Sequence, residues 1–538
     1  MSAHHCETDV LIVGAGPVGL SLAMDLRYRG VDFLLAEAGD GTVAHPKVST
    51  IGPRSMELFR RWGVAEKIRD AGWPGDHPLD AAWVTRVGGH ELFRLALGTA
   101  DSRSLPEHTP ESNQICPAHW LTPLLMREVG VHPEGPVRTE CTLEDFSQCE
   151  DGVLAVLREG LDGKPLLVRA RYLVACDGSS SQVRKACGID APARHESRLF
   201  RNILFRAPKL RDQLGERNAL VHFLMLSATL RFPMRAVDGC ELYNLVVGAD
   251  GGAGAEMDAL SLVSQAIALP TPVEVLSDSP WRLTHRVADR FRQGRVFLVG
   301  DAAHTLSLSG GFGMSTGICG AADLGWKLAA ELAGWAGSAL LDSYEQERRP
   351  VALASLEEAN GNLLRTVRRP LSPQLHQESA AGERARAEMS RHLAESDLRR
   401  EFDAPQVHFG AQYRSPIVQV DPAAPAGGDQ PWRQSAAPGS RAPHAWLRGG
   451  VSTLDLFGPD FVMLCRTEPE RRWQLEHAFA QRGVPLTTAV CPAPAVTRVY
   501  ERAHVLVRPD GHVAWWGDEL PRDLGWLADK VRGAGAGG

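Results

Sequence analysis

TDVLIVGAGPVGLSLAMDLRYRGVDFLLAE (Thr8–Glu37) reads as strand, glycine turn, helix and second strand. The apolar run Asp9–Val13 ends at a glycine, as a buried parallel strand does. Helical spacing follows from Pro17 to Arg29. Pro17 occupies the helix start, where a missing N–H costs nothing, and Gly30 stands where a C-terminal cap belongs. Gly14 permits the tight turn, Gly16 lets backbone approach a pyrophosphate, and Gly19 lets the helix pack closely on the strand. The helix start offers free N–H groups and a partial positive charge to a diphosphate. Glu37, with Ala38 after it, closes the second strand where a carboxylate takes adenosine ribose hydroxyls. The reading is a dinucleotide site, with the choice between NAD and FAD left open.

Two later stretches repeat the strand-then-turn pattern. RYLVACDGSSSQVRKACGI (Arg171–Ile189) gives a strand, the turn Asp177-Gly178, and a helix with a serine-rich start. GRVFLVGDAAHTLSLSGGFGMSTG (Gly294–Gly317) gives the strand Val296–Val299, the turn Gly300-Asp301 and a glycine-rich loop. A helix then runs to Leu332. Asp301 can accept hydrogen bonds from a polyol, and GGFGMSTG lets main chain lie flat against a planar ring. The helix start would stabilise negative charge on that ring.

Composition narrows the class. The chain has 538 residues, enough for two to four domains, with 44% hydrophobic and 23% charged residues. A formal charge of −7 argues against nucleic-acid or anionic-membrane binding. Ten cysteines are scattered without CxxC or zinc spacing, so no metal site is expected. No apolar run reaches about 18 residues, and MSAHHCETD lacks the features of a signal peptide. A cytoplasmic protein is expected.

The ordered set GxGxxG, CDG and GDAAH with GGxGM…TG resembles the class A flavoprotein aromatic hydroxylases, which share the para-hydroxybenzoate hydroxylase fold. HVLVRPDGHVAWWGD (His504–Asp518) resembles the thioredoxin-like tail of the phenol, chlorophenol and polyketide hydroxylase branch. The resemblance implies an α/β protein: a Rossmann-type FAD-binding domain, an inserted mixed β-sheet substrate domain and a C-terminal thioredoxin-like α/β domain. It implies boundaries at 1–75, 100–190 and 280–370 for the FAD domain, and at 76–99 and 191–279 for the substrate sheet. Residues 371–430 would be a solvated helical connector and linker, and 431–538 the last domain; Pro, Gly and Ala concentrate over 421–446.

By the same resemblance, FAD would be held by Gly14, Gly16, Pro17, Gly19, Glu37, Ala38, Asp177, Gly178 and Asp301. Gly311, Gly313, Met314 and Ser315 would meet its ring. Arg54, in GPRSMELFRRWG (Gly52–Gly63), matches a family arginine near the cofactor; a surface arginine at a helix start is the alternative. Leu308, Ser309 and Gly310 would border the substrate. The family has prolines at Ser307 and Leu308, asparagine at Ser315 and aspartate at Gly320, so the reacting edge differs here. Glutamine and an acid are common where Ala118 and Thr122 stand.

The implied reaction uses NADPH or NADH to reduce FAD. O2 then forms a C4a-hydroperoxide that oxygenates a phenolic or polycyclic aromatic, including polyketide, substrate. Baeyer–Villiger insertion or oxidative rearrangement of a polyketide quinone is an alternative, and a non-catalytic flavin-binding protein is another. No motif names a base. His222, Tyr243 and Arg231 on the substrate strands are candidates, as are His119 and His304, against ordinary packing roles for each. A homodimer is allowed but not specified.

Overall fold

The computed structural model describes residues 4–43, 45–46, 50–130, 135–160, 162–250, 256–419 and 432–535. Its first sheet is built on His4–Val13, which pairs in parallel with Phe33–Ala36 on one side and Lys164–Ala175 on the other. Val296–Leu298 extends it in parallel beyond Lys164–Ala175. Val10 to Val13 and Leu173 to Ala175 are buried, which explains their unbroken apolar runs. The register sets Val13 opposite both Ala36 and Ala175, and Ala175 opposite Leu298. The turns after all four strands therefore leave the sheet along one edge. The helices Pro17–Tyr28 and Phe312–Leu332 pack against each other.

A second sheet has the order Glu274–Leu283, Arg198–Arg206, Leu242–Gly248, Pro233–Ala236, Val221–Leu224, Ala81–Val84, Glu91–Leu95. Side-chain alternation splits it into two buried faces. Ala82, Leu224, Met234 and Tyr243 face the helix Ala259–Ile267, with Leu262 and Ile267 among the residues packed there. Ala81, Trp83, Val221 and Phe223 face the opposite way and pack on Leu375, Met389 and Leu393.

In that second packing the segment expected as a solvated helical connector lies against the seven-stranded sheet. The helix Ala380–Glu395 sets Met389 and Leu393 against the seven-stranded sheet. These few apolar positions are hidden in the sequence among arginines and glutamates. Of the linker read over 421–446, residues 421–431 lie outside the described residues.

The last part of the chain forms a four-stranded sheet ordered Leu486–Val490, Phe461–Cys465, His504–Val507, Val513–Gly517. The helices Arg472–Ala480 and Leu524–Val531 pack against each other, and both contribute to a core shared with Trp326 and Leu340. All ten cysteines are free thiols. Among the described residues no helix is long and apolar enough to cross a membrane.

Candidate functional site

The shared sheet edge carries a cradle built mostly of backbone. Gly14 has φ +103°, and a Cβ there would run into the Cys176 carbonyl; a Cβ on Gly19 would run into the Gly14 carbonyl. Gly16 differs: its Cβ direction meets no protein atom within 4 Å. No side chain caps the helix that begins at Pro17, so its first N–H groups remain available. Glu37 accepts from the Ala15 N–H at 2.7 Å and from the Gly39 N–H at 2.9 Å, which fixes its carboxylate beside the turn. Ala38 is exposed next to it.

Asp177 accepts from the Val183 N–H at 3.2 Å with one oxygen, while its other oxygen is buried without a partner. Gly178, at φ +80°, also faces open space. Asp301 is exposed in the turn Gly300–Ala302. The second helix start is likewise free of a side-chain cap: Gly311, at φ +68°, precedes Phe312–Leu332. Gly313 faces open space, Met314 is half-buried, and the Ser315 hydroxyl accepts from the Gly52 N–H at 3.0 Å.

Two uncapped helix starts, three glycines facing open space and an orphaned buried carboxylate oxygen together suit an anionic dinucleotide. Arg54 borders a small space together with Phe312 and Ser315 of the second helix start. It is buried, neither at the surface nor unpaired, and donates to Glu57 at 2.9 Å and to the Asp510 carbonyl at 2.7 Å.

A cavity of about 480 Å³ adjoins Gly310 and Gly311. Leu220, Val221 and Arg235 line it from the second sheet, and Glu401 and Phe402 from the segment behind Ala380–Glu395. Arg235 is paired across the strands with Val221, so its side chain leaves the sheet on the same face. The guanidinium makes no hydrogen bond or ion pair with any described residue. Burial lowers its pKa, and Glu401 acts in the opposite sense. Burial raises the Glu401 pKa, opposed by Arg235, Arg365, Arg369 and the Gly310 amide.

The strand candidates His222, Tyr243 and Arg231 do not line this cavity. His222 lies between Val221 and Phe223 and so points to the other face, where it meets the Arg217 carbonyl at 3.3 Å. Burial pushes its pKa down to about 4. Tyr243 stacks on Phe205 with ring centroids 5.6 Å apart. Arg231 donates to the Arg369 carbonyl. His304 is buried, its pKa pushed down to about 3 by burial, and neither it nor His119 borders the cavity.

The loop expectation is also narrowed. Gly310 lines the cavity, whereas Leu308 is 46% exposed and, like Ser309, does not reach it. Arg235 had one readable signal: it is the only charge in FPMRAV, Phe232–Val237. Glu401 had none, standing among charged neighbours in LRREFD, Leu398–Asp403.

The FAD binding domain family matches residues 7–359, and the family described as aromatic-ring hydroxylase, C-terminal matches residues 435–534. Tetracenomycin B2 monooxygenase-dioxygenase from Streptomyces olivaceus is 32% identical, with 98% of each chain covered. Aklavinone 12-hydroxylase RdmE from Streptomyces purpurascens is 31% identical at the same coverage. Among solved structures, chromopyrrolic acid-soaked RebC with bound 7-carboxy-K252c is 61% identical, with a TM-score of 0.95 over 98% of this chain and 99% of that one. A ternary complex of aklavinone-11 hydroxylase with FAD and aklavinone is 29% identical, with a TM-score of 0.84 over 99% and 100%.

Proposed function

The chain belongs to the FAD-dependent aromatic-ring hydroxylases, and from that premise we propose that it oxygenates a polycyclic aromatic acid with NADH or NADPH as reductant. The observation that carries the reading is Arg235: a half-buried guanidinium without a hydrogen-bonded or ion-paired protein partner, facing a cavity beside the glycine loop. Withdrawing a cation from water even in part is costly unless it is paired, so an anionic group on the ligand would complete it. The names of the RebC ligands, chromopyrrolic acid and 7-carboxy-K252c, point the same way.

In this reading Gly14, Gly16, Pro17 and Gly19 hold the FAD diphosphate, and Glu37 with Ala38 its adenosine ribose. Asp177, Gly178 and Asp301 border the remaining chain of the cofactor, and Gly311, Gly313, Met314 and Ser315 its ring. FAD supplies the electron-accepting and O2-activating chemistry when bound. The protein's own residues do the rest. Arg235 orients the substrate by its acid group, and Leu79, Leu97, Leu220 and Val221 exclude water from the aromatic body. Residues 1–75, 100–190 and 280–370 would then serve as the cofactor unit, and 76–99 with 191–279 as the substrate unit.

Chromopyrrolic acid, K252c and aklavinone form a test panel. Reconstituted yellow protein should consume NADH or NADPH faster with at least one of them, and yield a product carrying one atom from ¹⁸O2. An oxygenated product with a rearranged skeleton would favour oxidative rearrangement. Protein that takes up no FAD, or whose NAD(P)H consumption none of the panel stimulates, would overturn the proposal.

A further inference from the structure

Five charged side chains line the cavity: Arg103, Arg235, Arg399, Glu401 and Asp403. Arg103 is held by the Asn113 side chain and carbonyl, and Arg399 pairs with Asp403 at 3.4 Å. Only Arg235 and Glu401 are left without a hydrogen-bonded or ion-paired side chain. They form no ion pair with each other, although each shifts the other's titration. The other cations that act on Glu401 are engaged elsewhere: Arg365 lies 3.5 Å from Glu358, and Arg369 sits over the Trp83 ring at 5.8 Å. Arg400, next in the chain, pairs with Glu358 at 2.6 Å. The remaining neighbour of the Glu401 carboxyl is the Gly310 amide of the glycine loop.

From this arrangement we infer that Glu401 accepts the proton of the substrate's hydroxyl or ring N–H while Arg235 holds its acid group; this rests on the functional reading above. The O–H or N–H bond breaks, the proton goes to a Glu401 carboxylate oxygen, and the electron pair stays on the heteroatom, where it enriches the ring carbon to be oxygenated. No electrons are gained or lost in this step. Burial favours the role by raising the carboxyl pKa towards the range where a general base works at neutral pH, while the Gly310 amide and three arginines keep the ionised form accessible. The position matters as much as the acidity, because the Gly310 contact sets the acceptor beside the loop that would border the cofactor ring.

The test uses FAD-loaded wild type, Glu401→Gln and Glu401→Asp, with chromopyrrolic acid, K252c and aklavinone as probes, over pH 5–9. For a probe that wild type converts, kcat should fall on the acid side as Glu401 takes up its proton. Glu401→Gln should lower kcat by about 100-fold or more, with KM within about threefold and no acid limb. Glu401→Asp should keep the limb at a reduced rate, and both variants should retain FAD. Full kcat with an unchanged limb in Glu401→Gln, a loss confined to KM, or a loss that tracks FAD content in both variants overturns the assignment alone. A wild type that converts none of the probes overturns the functional reading, and the assignment with it.

Discussion

Arg508 lies 2.7 Å from Glu347 with neither side chain exposed, and this contact fastens the last hundred residues to the helix Ser343–Arg368. The same guanidinium reaches Asp323 and Asp510, each at 2.8 Å, while Lys327 bridges Asp323 and Glu347 at 2.9 and 2.7 Å. Two cations thus face three carboxylates in a site shut off from water, and burial pushes the pKa of one of the three, Asp323, up to about 7. Such a cluster adds little relative to a well-packed apolar core, but breaking it is costly because it strands a buried charge.

Arg508→Met should therefore destabilise the protein by about 3–5 kcal/mol. Arg508→Lys should recover only part, since one ammonium cannot present the same fork to three carboxylates. Denaturant unfolding of the three proteins checks this; a loss below about 1 kcal/mol in Arg508→Met would show that the cluster relaxes or admits water.

The two kinds of glycine in the first turn should separate cleanly. Gly16 has φ −66° and faces open space, so Gly16→Ala should fold with wild-type stability yet bind FAD at least tenfold more weakly. Gly19→Ala should destabilise the apoprotein by about 1–3 kcal/mol, because its Cβ meets the Gly14 carbonyl. Apoprotein melting together with FAD titration distinguishes the two.

His222 supplies an acid-sensitive contribution to stability. Its folded pKa is near 4, below the 6.5 of a free imidazole. Between those values the unfolded chain binds a proton that the folded chain refuses, so stability is full above pH 6.5 and falls as pH drops towards 4. Replacement by Gln should flatten that fall by on the order of 3 kcal/mol. Activity at pH 7.5 should stay within about threefold of wild type, since His222 does not face the cavity; a larger loss would count against that placement.

Arg235→Leu should weaken binding of chromopyrrolic acid by at least tenfold while raising the melting temperature of the ligand-free protein. A half-buried cation with no hydrogen-bonded partner is removed, which is worth up to about 1 kcal/mol. Perturbation of the bound flavin spectrum measures affinity, and calorimetry the stability. Lower stability with unchanged affinity would make Arg235 a structural residue.

Local spacing was enough to specify the strand, glycine turn and helix start proposed to hold the cofactor. Gly14, Gly16, Gly19 and Glu37 lie within one strand-helix-strand unit, and each answers to a constraint that acts over a few residues: a turn, a close approach, a helix start. The strand ends at Asp177 and Asp301 were legible for the same reason. The substrate end was not. Arg231 and Arg235 are both arginines in one strand region, and only the pairing of Arg235 with Val221 shows which of them faces the cavity. Glu401 was unremarkable among its charged neighbours until the fold paired Arg399 with Asp403 and Arg400 with Glu358, leaving it alone opposite Arg235. That Arg54 is buried rather than at the surface was not legible, because its partner Asp510 lies 456 residues away. Backbone constraints are written in neighbouring residues; whether a charge is satisfied depends on which distant groups the tertiary structure brings to it, and that decided the chemistry of this cavity.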